Sequence, residues 1–259
     1  RRLGALARVL AMAVSVFAVN ASAANTANDE KTFPKAFTKT VTTDGNTPAP
    51  ATTFGYEVAI ANGGEVTIKD NAGKDHTYVT KGGIAKTDIE LTDTTFTPAE
   101  TTAPTYDAKG NIVVKKGVYT TPGIYHYTVK EESGNYEGIK YATTQYDLYV
   151  FAEVDATGKI VVTNIIAVKD GKKADLGFVN DYGQDKDNNT THDVKIVKEV
   201  TGNMGDKAND KFNFTVAVSG QKDEMYKVVY ATSAGATVET IYVTSGATAV
   251  TIPNIQHTG

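Results

Sequence analysis

Three polar residues stand where the alternation of a β-strand calls for an apolar side chain. In "AFTKTV", Phe37, Lys39 and Val41 share a face. In "YHYTVKEE", Tyr125, Tyr127, Val129 and Glu131 share one, and in "DLGFVN" so do Leu176, Phe178 and Asn180. Each alone also reads as a strand-end or snorkelling residue. Together, an amine, a carboxyl and a carboxamide have a specific chemical sense. The amine attacks the carboxamide carbon, ammonia leaves, and a Lys–Asn isopeptide bond remains. Burial disfavours charge, so it favours the neutral amine that the attack needs. A neutral carboxyl beside two tyrosines can polarise the amide and relay the proton.

The elements that must position these groups are strands. The chain has 259 residues, 41% of them hydrophobic and 22% charged, the balance of a globular protein. Short runs of Val, Ile, Thr, Tyr and Phe are punctuated by Gly, Asn and Asp, as in "IANGGEVTIKDNAGKD" and "VDATGKIVVTN". No sustained helical period follows the first residues. The expected class is all-β, with tandem Ig-like sandwiches of the collagen-adhesin B type. On this reading Lys39 lies on the opening strand of the first sandwich, Glu131 on an internal one and Asn180 on the closing one.

The opening "RRLGALARVLAMAVSVFAVNASAA" joins two arginines, an apolar run and Ala21-Ser22-Ala23, so residues 1–23 are expected to be a secretory signal peptide. The mature chain then starts at Ala24, without a membrane segment. Residues 24–182 form the first sandwich. The turn-rich "NDYGQDKDNNTTHD" marks a boundary, with 183–192 as linker and 193–259 as the start of a second, incomplete sandwich. Its Asp185-x-Asp187-x-Asn189 spacing is a faint calcium-loop pattern, but position twelve is Ile196 instead of Glu. No metal site or cofactor is expected.

The segments "TTPGIYHYTVKEE", "YATTQYDLYVFAEVDATGKIVVTNI" and "GKKADLGFVNDY" together resemble the Gram-positive pilin isopeptide-linkage domain of streptococcal major backbone pilins. The likeness runs from about Phe33 to Gly259, in the family's order: a lysine on the first strand, PGxYxY-x-V-x-E in the middle, F-x-N at the end. The resemblance implies that Lys39 is the amine, Asn180 the carboxamide and Glu131, not Glu132, the catalytic acid. It puts a second reactive lysine at Lys198 in "DVKIVKEV", with the matching Glu and Asn beyond Gly259. It also implies a surface lysine that accepts the next subunit from a sortase, best aligned with Lys173, with Lys172 beside it. Lys35 in "TFPKAF" is a weaker candidate. Glu100 in "AETTAPTY" matches the glutamate box of related adhesin domains but lies among prolines, in a predicted loop.

Other classes fit poorly. A net charge of −4 with no basic run argues against nucleic acid. Cysteine is absent, so disulfides and thiolate chemistry are excluded. His76, His126, His192 and His257 fall at no metal-ligand spacing, and no nucleophile-elbow or nucleotide-binding motif appears. The reading is an exported cell-surface structural protein, a pilus backbone subunit or adhesin stalk, not an enzyme beyond one self-cross-linking turnover. Its expected partners are other pilin subunits. The alternative is an adhesin module that binds collagen, fibrinogen or glycan and shows an exposed aromatic patch.

Overall fold

The computed structural model describes residues 26–183, 210–233 and 236–256. The predicted signal peptide, the Asp185–Asn189 loop, His192, Lys198 and His257 lie outside the described residues.

Before residue 183 the described chain forms fourteen strands: β1 (Lys31–Thr42), β2 (Thr52–Phe54), β3 (Tyr56–Ile60), β4 (Gly64–Lys69), β5 (Asp75–Gly82), β6 (Ile89–Leu91), β7 (Thr94–Phe96), β8 (Thr105–Val114), β9 (Gly123–Glu131), β10 (Ile139–Lys140), β11 (Gln145–Val154), β12 (Ile160–Lys169), β13 (Lys172–Ala174) and β14 (Gly177–Tyr182). One sheet has the order β10-β14-β1-β8-β6. A second runs β11-β12-β13-β4-β5-β9-β3 and also pairs β11 with β9, and β2 and β7 form a separate two-stranded sheet. The inner faces of the two larger sheets meet in one core, where Phe37, Ile112, Val114 and Phe178 pack on Tyr125, Tyr127, Val129, Leu148 and Val150. The class is the all-β sandwich that the turn spacing predicts.

β1 needs a local break to aim its side chains. Pro34 has no N–H for the ladder, and the register with β8 slips between Phe33 and Phe37. At this bulge Lys35 takes a φ of 52°, and its N–H donates to Asn111 Oδ1. Beyond it Phe37, Lys39 and Val41 turn inward, each at most 2% exposed. Phe37 lies flat across β8 at Gly110, where a Cβ would fall 2.0 Å from its ring. Only glycine fits beneath that ring. β14 then runs parallel to β1, with Lys39 opposite Phe178 and Val41 opposite Asn180.

Two further features surround these strands. The inward row of β14 continues past Asn180 to Tyr182, which is buried. The outward face of β9 is also less polar than alternation suggests: the β4–β5 hairpin covers it, burying Ile124, Tyr149, Ile166 and Val168 against Ile68. His126 lies on this face, stacked 4.5 Å from Tyr149 and bonded to Asp147 and the Asn62 carbonyl. The lead-in before β1 is anchored as well. Asn28 is buried, donates to Lys115 O and accepts the Tyr119 N–H.

The later described residues form β15 (Lys211–Val216), β16 (Met225–Tyr230), β17 (Glu239–Thr244) and β18 (Val250–Gln256). β15 pairs with β18 and β16 with β17, both antiparallel. They meet the first unit through Glu224, which accepts hydrogen bonds from Tyr182 and Tyr226.

Candidate functional site

Lys39, Glu131 and Asn180 come together between the two sheets. Lys39 reaches across from β1 and Asn180 from its parallel neighbour β14. Glu131 meets them from the facing sheet, at the last residue of β9 and opposite Tyr56 of β3. Lys39 Nζ donates to Glu131 Oε2 at 2.5 Å. Asn180 Nδ2 donates to the other oxygen, Glu131 Oε1, at 2.6 Å. One carboxylate therefore holds both groups. The Lys39 and Asn180 residues are 0% exposed and Glu131 is 3% exposed, so the cluster has no competing water.

The carboxamide has a second anchor. The backbone N–H of Ala142 donates to Asn180 Oδ1 at 2.7 Å. This bond fixes which way the amide faces, because a flipped amide would set its NH2 group against the Ala142 N–H and its oxygen against the carboxylate. Aromatic rings close the remaining sides. Lys39 Nζ sits 4.2 Å from the centre of the Phe54 ring, a favourable placement for a cation. Phe178, opposite Lys39 on β14, packs on Tyr56 and Phe37. Tyr56 is tied to Thr94 by its hydroxyl, and burial pushes its pKa well above the usual tyrosine range.

Burial also pushes the Lys39 amine down, to about 8, against the opposing pull of the Glu131 carboxylate. Removing such a pair from water costs several kcal/mol per ion, an expense that a purely structural core would avoid with apolar residues. Near neutral pH the amine can thus lose its proton easily, and the acceptor for it is already hydrogen-bonded.

The other residues singled out in the sequence lie apart from this cluster. Glu100 is exposed, in the loop between β7 and β8. Lys172 and Lys173 are on β13; Lys172 is exposed, whereas Lys173 is half-buried. Lys173 lines a groove of about 180 Å³ with Phe33, Ala36, Leu148, Ile165 and Leu176. Lys35 is exposed at the β1 bulge. Among the described residues, no group of three or more His, Asp or Glu could hold a metal ion. Sequence reasoning missed Phe54 and Ala142. Phe54 stands on a three-residue strand too short to show a period, and Ala142 acts through its backbone, which no residue type reveals.

The fold and the buried cluster define a pilin-type isopeptide domain. The chain belongs to the Spy0128-like isopeptide containing domain family, whose model matches residues 20–183, more than half of its length. Residues 192–258 match the model of a domain of unknown function, DUF7601. Among solved structures, the chain is similar to the major pilin protein (T3.2) from Streptococcus pyogenes serotype GAS13637, with 20% identity, 91% of this chain and 77% of that one covered, and a TM-score of 0.54. It is also similar to a glutamate-to-alanine mutant of the major pilin from Streptococcus pyogenes, with 20% identity, coverage of 88% and 75%, and a TM-score of 0.52. At such identities the likeness is one of fold. No curated protein matches the chain significantly.

Proposed function

We propose that this chain is a cell-surface structural protein, a pilus backbone subunit, whose first domain cross-links itself between Lys39 and Asn180. Residues 1–23 would direct export, and 24–182 and 193–259 would be consecutive domains of the fibre, joined by 183–192. The observation that carries the cross-link is the Glu131 carboxylate, buried, with Lys39 on one oxygen and Asn180 on the other.

The reaction follows from those contacts. Lys39 passes a proton to Glu131 along their hydrogen bond and becomes a neutral amine. Its nitrogen attacks Asn180 Cγ, and the carbonyl electron pair moves onto Oδ1. Glu131 gives its proton to Nδ2 through the second hydrogen bond, and the Cγ–Nδ2 bond breaks as ammonia leaves. The carbonyl re-forms, and the surplus proton on the Lys39 nitrogen returns to Glu131. One C–N bond forms, one breaks, and the glutamic acid ends protonated. This is a single turnover on the protein itself, without an external substrate or cofactor.

A sortase would join such subunits by linking a neighbour to Lys173, by the family resemblance. The placement of Lys173 on a groove between the two larger sheets supports it over Lys172 and Lys35. Lys198 would serve the second domain as Lys39 serves the first. A ligand-binding adhesin is less well supported, because each of the 14 tyrosines is at least partly buried.

Intact mass spectrometry tests the cross-link. The wild-type chain should be lighter than its sequence by one ammonia, and Glu131→Ala and Asn180→Ala should each have full mass. A full-mass wild type would overturn the proposal.

A further inference from the structure

The reaction above leaves one atom unserved. When the amine adds to Asn180 Cγ, negative charge develops on Oδ1, and in a dry core an unmet oxyanion is prohibitive. Glu131 cannot meet it, since its two oxygens face Lys39 Nζ and Asn180 Nδ2. The group that does face Oδ1 is the Ala142 backbone N–H, at 2.7 Å. We propose that this amide is the oxyanion donor of the cross-linking reaction, and that the segment carrying it is a catalytic loop. The inference rests on the cross-link proposed above.

The way the segment is held supports this role. It follows β10, which pairs with β14 so that Ile139 opposes Tyr182 and Lys140 opposes Asp181. The strand carrying Asn180 therefore also fixes the start of the segment that grips it. Tyr141, next to the donor, packs its ring 5.9 Å from Phe54, the ring beneath Lys39 Nζ. The Tyr141 hydroxyl accepts the Tyr136 N–H, which ties the loop to itself. The Tyr136 hydroxyl in turn accepts the Ala51 N–H, from the chain just before β2. Donor, amine and carboxamide thus share one rigid surround. Glu131 and Ala142 also flank the same excursion of chain, one at the end of β9 and the other just before β11. Proton relay and oxyanion donor are delivered together by one connection.

An N–H at this position does two things. It selects the amide orientation that presents Nδ2, the leaving group, to Glu131. It also strengthens its bond as the carbonyl oxygen becomes negative, which stabilises the addition step more than the starting amide. Loss of one such donor typically slows acyl transfer about a hundredfold or more.

The test is the rate of ammonia loss in chains made by cell-free synthesis, quenched at intervals and weighed intact. Folding is followed on the same samples by near-ultraviolet circular dichroism. The wild type sets the reference rate. Ala142→Pro lacks the N–H and should be slower by about a hundredfold while still reaching the folded signal. Because proline can disturb the loop, a second chain carries a backbone ester at position 142, with lactate in place of alanine. It keeps the backbone shape and deletes only the donor, so it should show the same slowing even where the proline chain fails to fold. A folded ester chain that cross-links at the wild-type rate overturns the role of Ala142 alone. A wild-type chain that keeps its ammonia overturns the cross-link, and this role with it.

Discussion

At the scale of single residues, Lys39 carries the measurable electrostatics. Asn180→Ala keeps the lysine and its glutamate partner but cannot cross-link, so the amine still titrates. Folding lowers its pKa from the ordinary 10.5 to about 8. Between those values the unfolded chain binds a proton that the folded chain does not, so stability rises with pH across that window. Relative to a Lys39→Met/Asn180→Ala chain, Asn180→Ala should gain about 3 kcal/mol from pH 8 to 10.5, read from urea unfolding. A flat difference would mean that the amine is not desolvated. The inward placement of Lys39, Glu131 and Asn180 was legible in the sequence because two-residue alternation assigns faces without knowing the partner strands. Ala142 was not, since its contribution is a main-chain hydrogen. Asn28 was not either, because a buried asparagine in a polar lead-in looks like any solvated one until the loop that it bonds is known.

At the scale of elements, alternation gives the inner face and leaves open what covers the outer one. Ile124 on the polar side of β9 was one sign of that cover. The run "YDLYVFAEV" of β11, apolar on both faces, was another, since such runs mark strands covered on both sides. What covers them is the β4–β5 hairpin, a long-range choice that local pattern does not encode. The same limit applied to the lysines: sequence put Lys172 and Lys173 side by side, and only the strand pairing turns one toward the groove. Coexpressed with a pilin sortase, Lys173→Arg should lose the ladder of covalent multimers on a denaturing gel, while Lys172→Arg and Lys35→Arg keep it. A ladder that survives Lys173→Arg would remove this lysine as the acceptor.

At the scale of the whole molecule, the Lys39–Asn180 bond would enclose nearly all of the first domain. By analogy with a disulfide closing a loop of this length, it should stabilise the domain by about 5 kcal/mol through the unfolded chain. The mechanical effect is larger. Pulled from its two ends in a force spectrometer, a cross-linked domain cannot release the residues between positions 39 and 180. The Asn180→Ala domain should extend about 500 Å further than wild type when it gives way. Equal extensions would show that no covalent tie spans the fold.

The manner of that failure depends on the direction of β1 and β14. The two strands are parallel, in register from Thr38 beside Gly177 to Thr42 beside Asp181. Traction on the start of one and the end of the other therefore slides them lengthwise, as in a lap joint, instead of opening them like a zip. Every hydrogen bond along the seam takes its share of the force at once. Even without a covalent bond, the domain would hold briefly against a sudden tug and then let go in a single abrupt step. What the proposed bond would add is endurance, because a seam in shear creeps apart under sustained load and a covalent rivet through it does not.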